Sequence, residues 1–246
     1  MRVRRDPGVA LWVAAGVCWA ATFWLVLGSG GPGHHAAVGG QPAWPWPLRL
    51  GAPLGAWLVM VGAMMLPTAV PMVRMFAVVS ARAPGPAVAR LVFLAGYLAV
   101  WTAFAVVALL ADRAVHALVA SWAWLAVRPG LLLGAVLLVA GAFQFSALKD
   151  ACLTACRNPV EFLFRHYRRG GAWGSGLRHG VSCLGCCWAL MLVMIGAGIA
   201  SLAWMLGLTA VMVVEKTAPR GDRLVAPVGV LLLVAGVSLT LSALLS

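Results

Sequence analysis

Apolar runs that approach the roughly 20 residues needed to cross a bilayer as a helix recur along this chain. They lie at about 9 to 27, 53 to 79, 91 to 111, 130 to 148, 180 to 198, 199 to 216 and 225 to 245. Backbone groups in hydrocarbon must find their hydrogen bonds within the segment, so each run reads as a helix. The fold class is an all-α, polytopic membrane helix bundle with about seven transmembrane helices in one integral domain, 1–246. The fifth and sixth helices form one run, divided at GAGIAS (Gly196 to Ser201), where small residues allow a tight turn. Without that division the count is six.

Charge supports this reading. Only 10% of the residues are charged and 63% are hydrophobic, against about 25% charged in a soluble domain. The net charge of +12 does not mark a nucleic-acid surface, because the basic residues sit in short loops between apolar runs rather than on one soluble face. They report topology instead. With the N-terminus inside, fifteen of the eighteen Lys and Arg residues face the cytoplasm, and only Arg49, Arg113 and Arg128 lie outside. The positive-inside rule then sets the N-terminus in and, with seven spans, the C-terminus out. The first run follows Arg2, Arg4 and Arg5, but it is longer than the apolar part of a signal peptide and no small-x-small cleavage site follows, so it is an anchor helix.

The one sizeable inner loop, 149–178, contains NPVEFLFRHYRRGGAWGSG, read as a short amphipathic helix ending in a glycine hinge on the membrane surface. The outer segment GSGGPGHHAAVGGQPAWPWP reads as a flexible loop with interfacial Trp. No internal repeat is evident.

Chemistry concentrates in cysteine. Cys152 and Cys156 are four apart just beyond the fourth helix. His179, Cys183 and Cys187 repeat that spacing at the start of the fifth, and Cys186 follows Cys183 by three. Residues three and four apart share a helix face, so one face carries an imidazole and two or three thiols. Thiolates with imidazole are a ligand set for copper or zinc. Cys18, alone in the first helix, reads as a small buried hydrophobe.

Weaker candidates are Met64, Met65 and Met72 in the proline-containing stretch MVGAMMLPTAVPM, whose Pro67 and Pro71 kink the helix, and Glu215 at the end of WMLGLTAVMVVEK. An acid at membrane depth needs a partner or a ligand. Lys216 projects from a different face than Glu215, Arg74 is the candidate partner, and Lys149 reads as an interfacial anchor. In the inferred topology the thiols, Met72 and Glu215 all reach the inner leaflet, which argues for one site.

The pieces AMMLPTAVPM, LKDACLTACR, HGVSCLGCCWALM and WMLGLTAVMVVEK resemble a family of bacterial integral membrane proteins, the DUF2182 group, described as metal-binding. Here QFSALK stands where that family usually has Gln-x-Thr-Pro before the Leu and Lys. The resemblance implies metal binding in a bacterial cytoplasmic membrane and names no reaction or transported ion.

The reading that follows is a membrane protein handling a soft transition metal, copper before zinc, with the lipid bilayer, the metal ion and a metallochaperone or membrane complex as partners and no nucleic acid. The alternative is a membrane thiol-disulfide oxidoreductase using Cys183 and Cys186 with Cys152 and Cys156. Cytoplasmic thiols disfavour it, since disulfide generation belongs to oxidising compartments. A third reading is a structural subunit with merely buried cysteines. Reporter fusions after Arg82 and Arg169 are expected to read as cytoplasmic and one after Ser246 as external; an external signal at Arg169 would invert the thiol leaflet.

Overall fold

The computed structural model describes residues 6–28, 46–197 and 201–245, all in helices or short connections. Arg2, Arg4 and Arg5, most of the expected outer loop, part of the GAGIAS turn and Ser246 lie outside the described residues. The elements are α1 (Pro7–Gly28), α2 (Trp46–Val79) with a 3₁₀ turn (Ser80–Arg82), α3 (Pro86–Ser121), α4 (Ala123–Ala126), α5 (Pro129–Gln144), α6 (Ala147–Arg157), α7 (Pro159–Ala197), α8 (Leu202–Thr217), a second 3₁₀ turn (Gly221–Leu224) and α9 (Val225–Leu245). No strand occurs among the described residues.

The expected seven spans become fewer. Five segments are long and apolar enough to cross a membrane: Pro7–Val26, Gly51–Arg82, Pro86–Ser121, Gly170–Gly196 and Gly221–Leu245. Helices α5 and α6, bent by 65° at their junction, make a sixth if taken as one broken span. The remaining segment, α8, has 16 residues. At 1.5 Å per residue it is about 24 Å long, short of the roughly 30 Å of hydrocarbon. Large apolar side chains such as Trp12, Trp24, Leu91, Val107, Leu231 and Val234 face outward, as lipid-facing helices require.

Local sequence accounts for the breaks. Phe145 and Ser146 end α5, and the Ser146 hydroxyl accepts from the Lys149 N–H at 3.1 Å, capping α6. Pro159 follows Asn158 and starts α7 in a new direction. Within α7, Gly171 adopts φ 58° and ψ −157°, a conformation that favours glycine, and it divides 159–170 from the long apolar segment beyond. Helix α2 runs as a single element through Pro53, Pro67 and Pro71, where the Thr68 hydroxyl donates to the Met65 carbonyl at 2.9 Å.

Two helix pairs pack with backbones close together. On α7, Gly176 and Gly180 lie against α3: a Cβ at Gly176 would meet the Phe93 carbonyl, and one at Gly180 would come within 3.1 Å of the Tyr97 carbonyl. Gly134, Gly141, Gly229 and Gly236 bring α5 and α9 together in the same way. Lipid tails are as apolar as leucine, so membrane helices gain by close van der Waals contact at small residues. The α3–α7 contact sets Tyr97 against the cysteine face of α7. Two apolar clusters result: a large one containing Trp57, Met64, Met65, Trp101, Met191 and Met194 with four of the cysteines, and a smaller one of Leu11, Val70, Met72, Val73, Phe76, Phe93, Phe162 and Leu163.

Arg74 is not the partner of Glu215. It bonds Asp6 at 2.7 Å, and that hydrogen bond holds the Asp6 carboxyl below the usual carboxylate range. Asp6 also accepts from the Gly8 N–H, closing the start of α1.

Gly176→Val is expected to force α3 from α7 and destabilise the protein by at least about 1–3 kcal/mol. A lower thermal midpoint in detergent, together with faster alkylation of Cys183, checks it; an unchanged midpoint would show that the pair tolerates a wider spacing.

Candidate metal centre

Helix α7 carries His179, Cys183, Cys186 and Cys187 inward, each no more than 2% exposed. Facing them are Cys156 from α6, Met65 and Thr68 from α2, Tyr97 from α3 and Lys216 from α8. The centre of the group is the Lys216 ammonium. Its Nζ donates to the Cys183 Sγ at 3.1 Å and to the Thr68 hydroxyl at 3.5 Å, and lies 3.9 Å from the Cys187 Sγ and 4.0 Å from the Met65 Sδ. Tyr97 Oη lies 3.2 Å from the Cys183 Sγ. The Cys156 thiol is within hydrogen-bonding reach of Cys183 and Cys186. All six cysteines are free thiols.

A buried ammonium is costly unless its protons are taken up by acceptors. Here those acceptors are sulfur and one hydroxyl, an unusual shell for lysine and a suitable one for a soft cation. Among the described residues no group of three or more His, Cys, Asp or Glu side chains stands arranged to hold a metal ion. The Cys186 and Cys187 thiols both turn back to donate to the Cys183 carbonyl, at 3.1 and 2.8 Å. Rotation of each about χ1 is the movement that would free them.

His179 stands beside the thiols, stacked on Tyr97 at 5.2 Å and on Phe93 at 5.9 Å between ring centroids, with Phe162 edge-on at 5.9 Å. Both of its ring nitrogens are buried without a hydrogen-bond partner. Orphaned buried nitrogens are rare in a folded chain, and here they border a sulfur cluster, so the donors fit a soft metal with His179 as ligand or near neighbour.

The sequence candidates therefore separate. Cys156, Cys183, Cys186, Cys187, His179 and Met65 come together. Cys152 is half-buried, with its Sγ over Gly185 at the edge of the group. Met64 is buried in the same apolar cluster, whereas Met72 belongs to the smaller one. Cys18 packs its thiol on Gly62, between α1 and α2.

Two expectations about charge are corrected. Glu215 pairs with Lys149, Nζ to Oε2 at 2.6 Å, with both side chains 2% exposed or less. Lys149 is thus a buried partner rather than an interfacial anchor, because Ser146 restarts the helix and turns it inward. Glu215 keeps Oε1 unbonded beside the thiols. Lys216, placed on another face of α8, reaches the cysteines instead. Sequence reasoning overlooked Lys216 and Tyr97 as members of the site. A usable signal existed: adjacent opposite charges on an otherwise apolar helix each need a separate buried partner, and Tyr97 is one of only two tyrosines in the chain.

With this geometry in view, comparison with protein families is decisive. The family described as PpoB2, copper chaperone, matches residues 54–239. This chain belongs to that copper chaperone family. The matched region contains every member of the sulfur cluster and omits all of α1. No curated protein and no solved structure matches the chain.

Lys149→Met would leave Glu215 buried without its cation, at a cost of about 3–5 kcal/mol. Adding Glu215→Leu should recover most of that loss. Thermal unfolding of the single and double variants measures the coupling, and a double variant no more stable than the single would deny the pair its role.

Proposed function

We propose that this membrane protein holds Cu(I) as cargo between the thiols of Cys156, Cys183, Cys186 and Cys187, with the Met65 thioether and His179 at the margin. One observation carries the reading: buried sulfur from α2 and α7 lies within 4.0 Å of a single cation, Lys216 Nζ, which stands where a soft metal ion would stand, and the Cys156 thiol of α6 adjoins Cys183 and Cys186. Cysteine and methionine sulfur select Cu(I) among the first-row ions. Zinc, which takes four tetrahedral ligands in structural sites, is less suited to a group whose thiols lie mostly on one turn of one helix.

In this reading the ion exchanges places with the ammonium. Cys186 and Cys187 rotate away from the Cys183 carbonyl to meet it, Tyr97 keeps its hydrogen bond to Cys183, and the surrounding apolar side chains exclude water that would solvate the ion and carry it off. Membership in a copper chaperone family supports copper as cargo. The charge distribution of the loops supports a site at the cytoplasmic membrane boundary of a bacterial inner membrane.

Purified protein reduced and reconstituted with Cu(I) is expected to retain about one ion per chain against a moderate chelator. Cys183→Ser and Cys156→Ser should lose most of it, because a hydroxyl is a poor donor to a soft ion. Cys18→Ser should retain it. Equal copper in all four proteins, or a preference for zinc in the wild type, would overturn the proposal.

A further inference from the structure

Beside the sulfur cluster lies a cavity of about 460 Å³ lined by Asp150, Thr154, Arg157, Asn158, Lys216 and Asp222, among others. Its walls are α6, the end of α8 and the 3₁₀ turn Gly221–Leu224, the same pieces that supply Cys156 and Lys216. Arg157 clamps these walls together by donating to the carbonyls of Glu215 and Pro219 and to Asp222. Lys216 belongs to both compartments: it borders the cavity, and its Nζ ends 3.1 Å from the Cys183 Sγ.

Elsewhere the cluster is closed by packed side chains. Met65, Phe93, Tyr97, Trp101, Met191 and Met194 are all fully buried around it. An ion cannot cross such a layer without opening native packing, whereas the cavity side offers carboxylate and hydroxyl oxygens and one long, flexible side chain.

We infer that this cavity is the port by which a soft monovalent cation reaches and leaves the thiols, and that Lys216 is its gate. The inference rests on the cargo reading above and adds the route. Asp150 draws a cation into the cavity mouth, Asp222 being paired with Arg157, and oxygen ligands there hold a soft ion weakly. The ammonium covers the last step to Cys183 and occupies the ion's place in the empty protein. Loading requires Lys216 to swing toward the cavity, where the Asp150 carboxylate receives its charge. The cation outside and the ammonium inside thereby change places, and the thiols that bind the ion release their protons to water through the same cavity.

The test uses the full chain in detergent. Transfer of bound Cu(I) to bathocuproine disulfonate, a water-soluble anionic chelator, is followed by stopped flow. Thr154→Trp and Thr217→Trp place bulk in the cavity from exposed positions and are each expected to slow transfer about tenfold with unchanged copper affinity. Lys216→Ala should speed it about tenfold. A metal-free arm reads the same route through the rate at which methanethiosulfonate ethylammonium, a small cation, modifies Cys183 and Cys187: slower in both Trp variants, faster in Lys216→Ala. If Lys216→Ala does not fold, the two Trp variants carry the test. Unchanged rates in the Trp variants, or slower transfer matched by an equal loss of affinity, would overturn the port. A wild type that binds no copper but shows the expected alkylation pattern would defeat the cargo reading and leave the route standing.

Discussion

The buried ion pair between Lys149 and Glu215 is the contact on which the arrangement of this protein depends. Neither charge could lie alone in a low-dielectric interior, so each must find the other, and in doing so they bind α6 to α8. The pairing is possible only because Ser146 caps a new helix and the chain bends by 65° after α5. Had α5 continued straight, Lys149 and the cysteines behind it would have been carried away from α8. Arg157 adds a second tie at the far end of α6, to the backbone beyond Glu215. With α6 held at both ends, Cys156 is delivered to the cysteine face of α7.

Once Glu215 is committed to Lys149, its neighbour Lys216 must turn elsewhere. About 100° of helical rotation separates adjacent residues, so Lys216 enters the space between α2 and α7, where sulfur and a threonine hydroxyl are the available acceptors. The two adjacent charges thus perform separate tasks, one joining helices and the other filling a cation's place. A cluster of sulfur donors in a low-dielectric interior has a difficulty: it attracts positive charge and needs some to hold. An internal ammonium meets that difficulty without sealing the site permanently, because a lysine stem is long and flexible.

Glycine contacts give the site its other wall. Gly176 and Gly180 allow α3 to approach α7 so closely that the Phe93 and Tyr97 carbonyls touch the opposite helix. That spacing brings the Tyr97 hydroxyl to Cys183 and stacks the Tyr97 ring on His179. A wider separation would admit lipid or water to the thiols. The placement of the thiols therefore rests on helix packing that has no metal chemistry of its own.

Hydrophobic length and cysteine spacing were readable directly. Runs such as 225 to 245 can form only buried helices in lipid, and His179, Cys183 and Cys187 share a face through helical periodicity alone. A soft-metal ligand set was also legible in the sulfur donors, with copper and zinc both open, and the copper chaperone family match agrees with the first. Span count was less so, because the 16 residues of α8 are apolar enough for a membrane and only their folded length, about 24 Å, falls short of a full span. Which charges meet was not readable at all. Arg74 was the candidate partner for Glu215 and Lys149 read as an interfacial anchor, yet Lys149 makes the pair because of the bend at Ser146, which local sequence permits without requiring. Periodicity and composition act over one or two helical turns, and the sequence by itself determined what depends on them: an all-helical membrane chain with a thiol-bearing face. The partners of that face, Lys216, Tyr97 and Cys156, come from 27 to 86 residues away. Only tertiary structure decides them, because helix crossings at glycine and the pairing of buried charges are settled between segments and not within them.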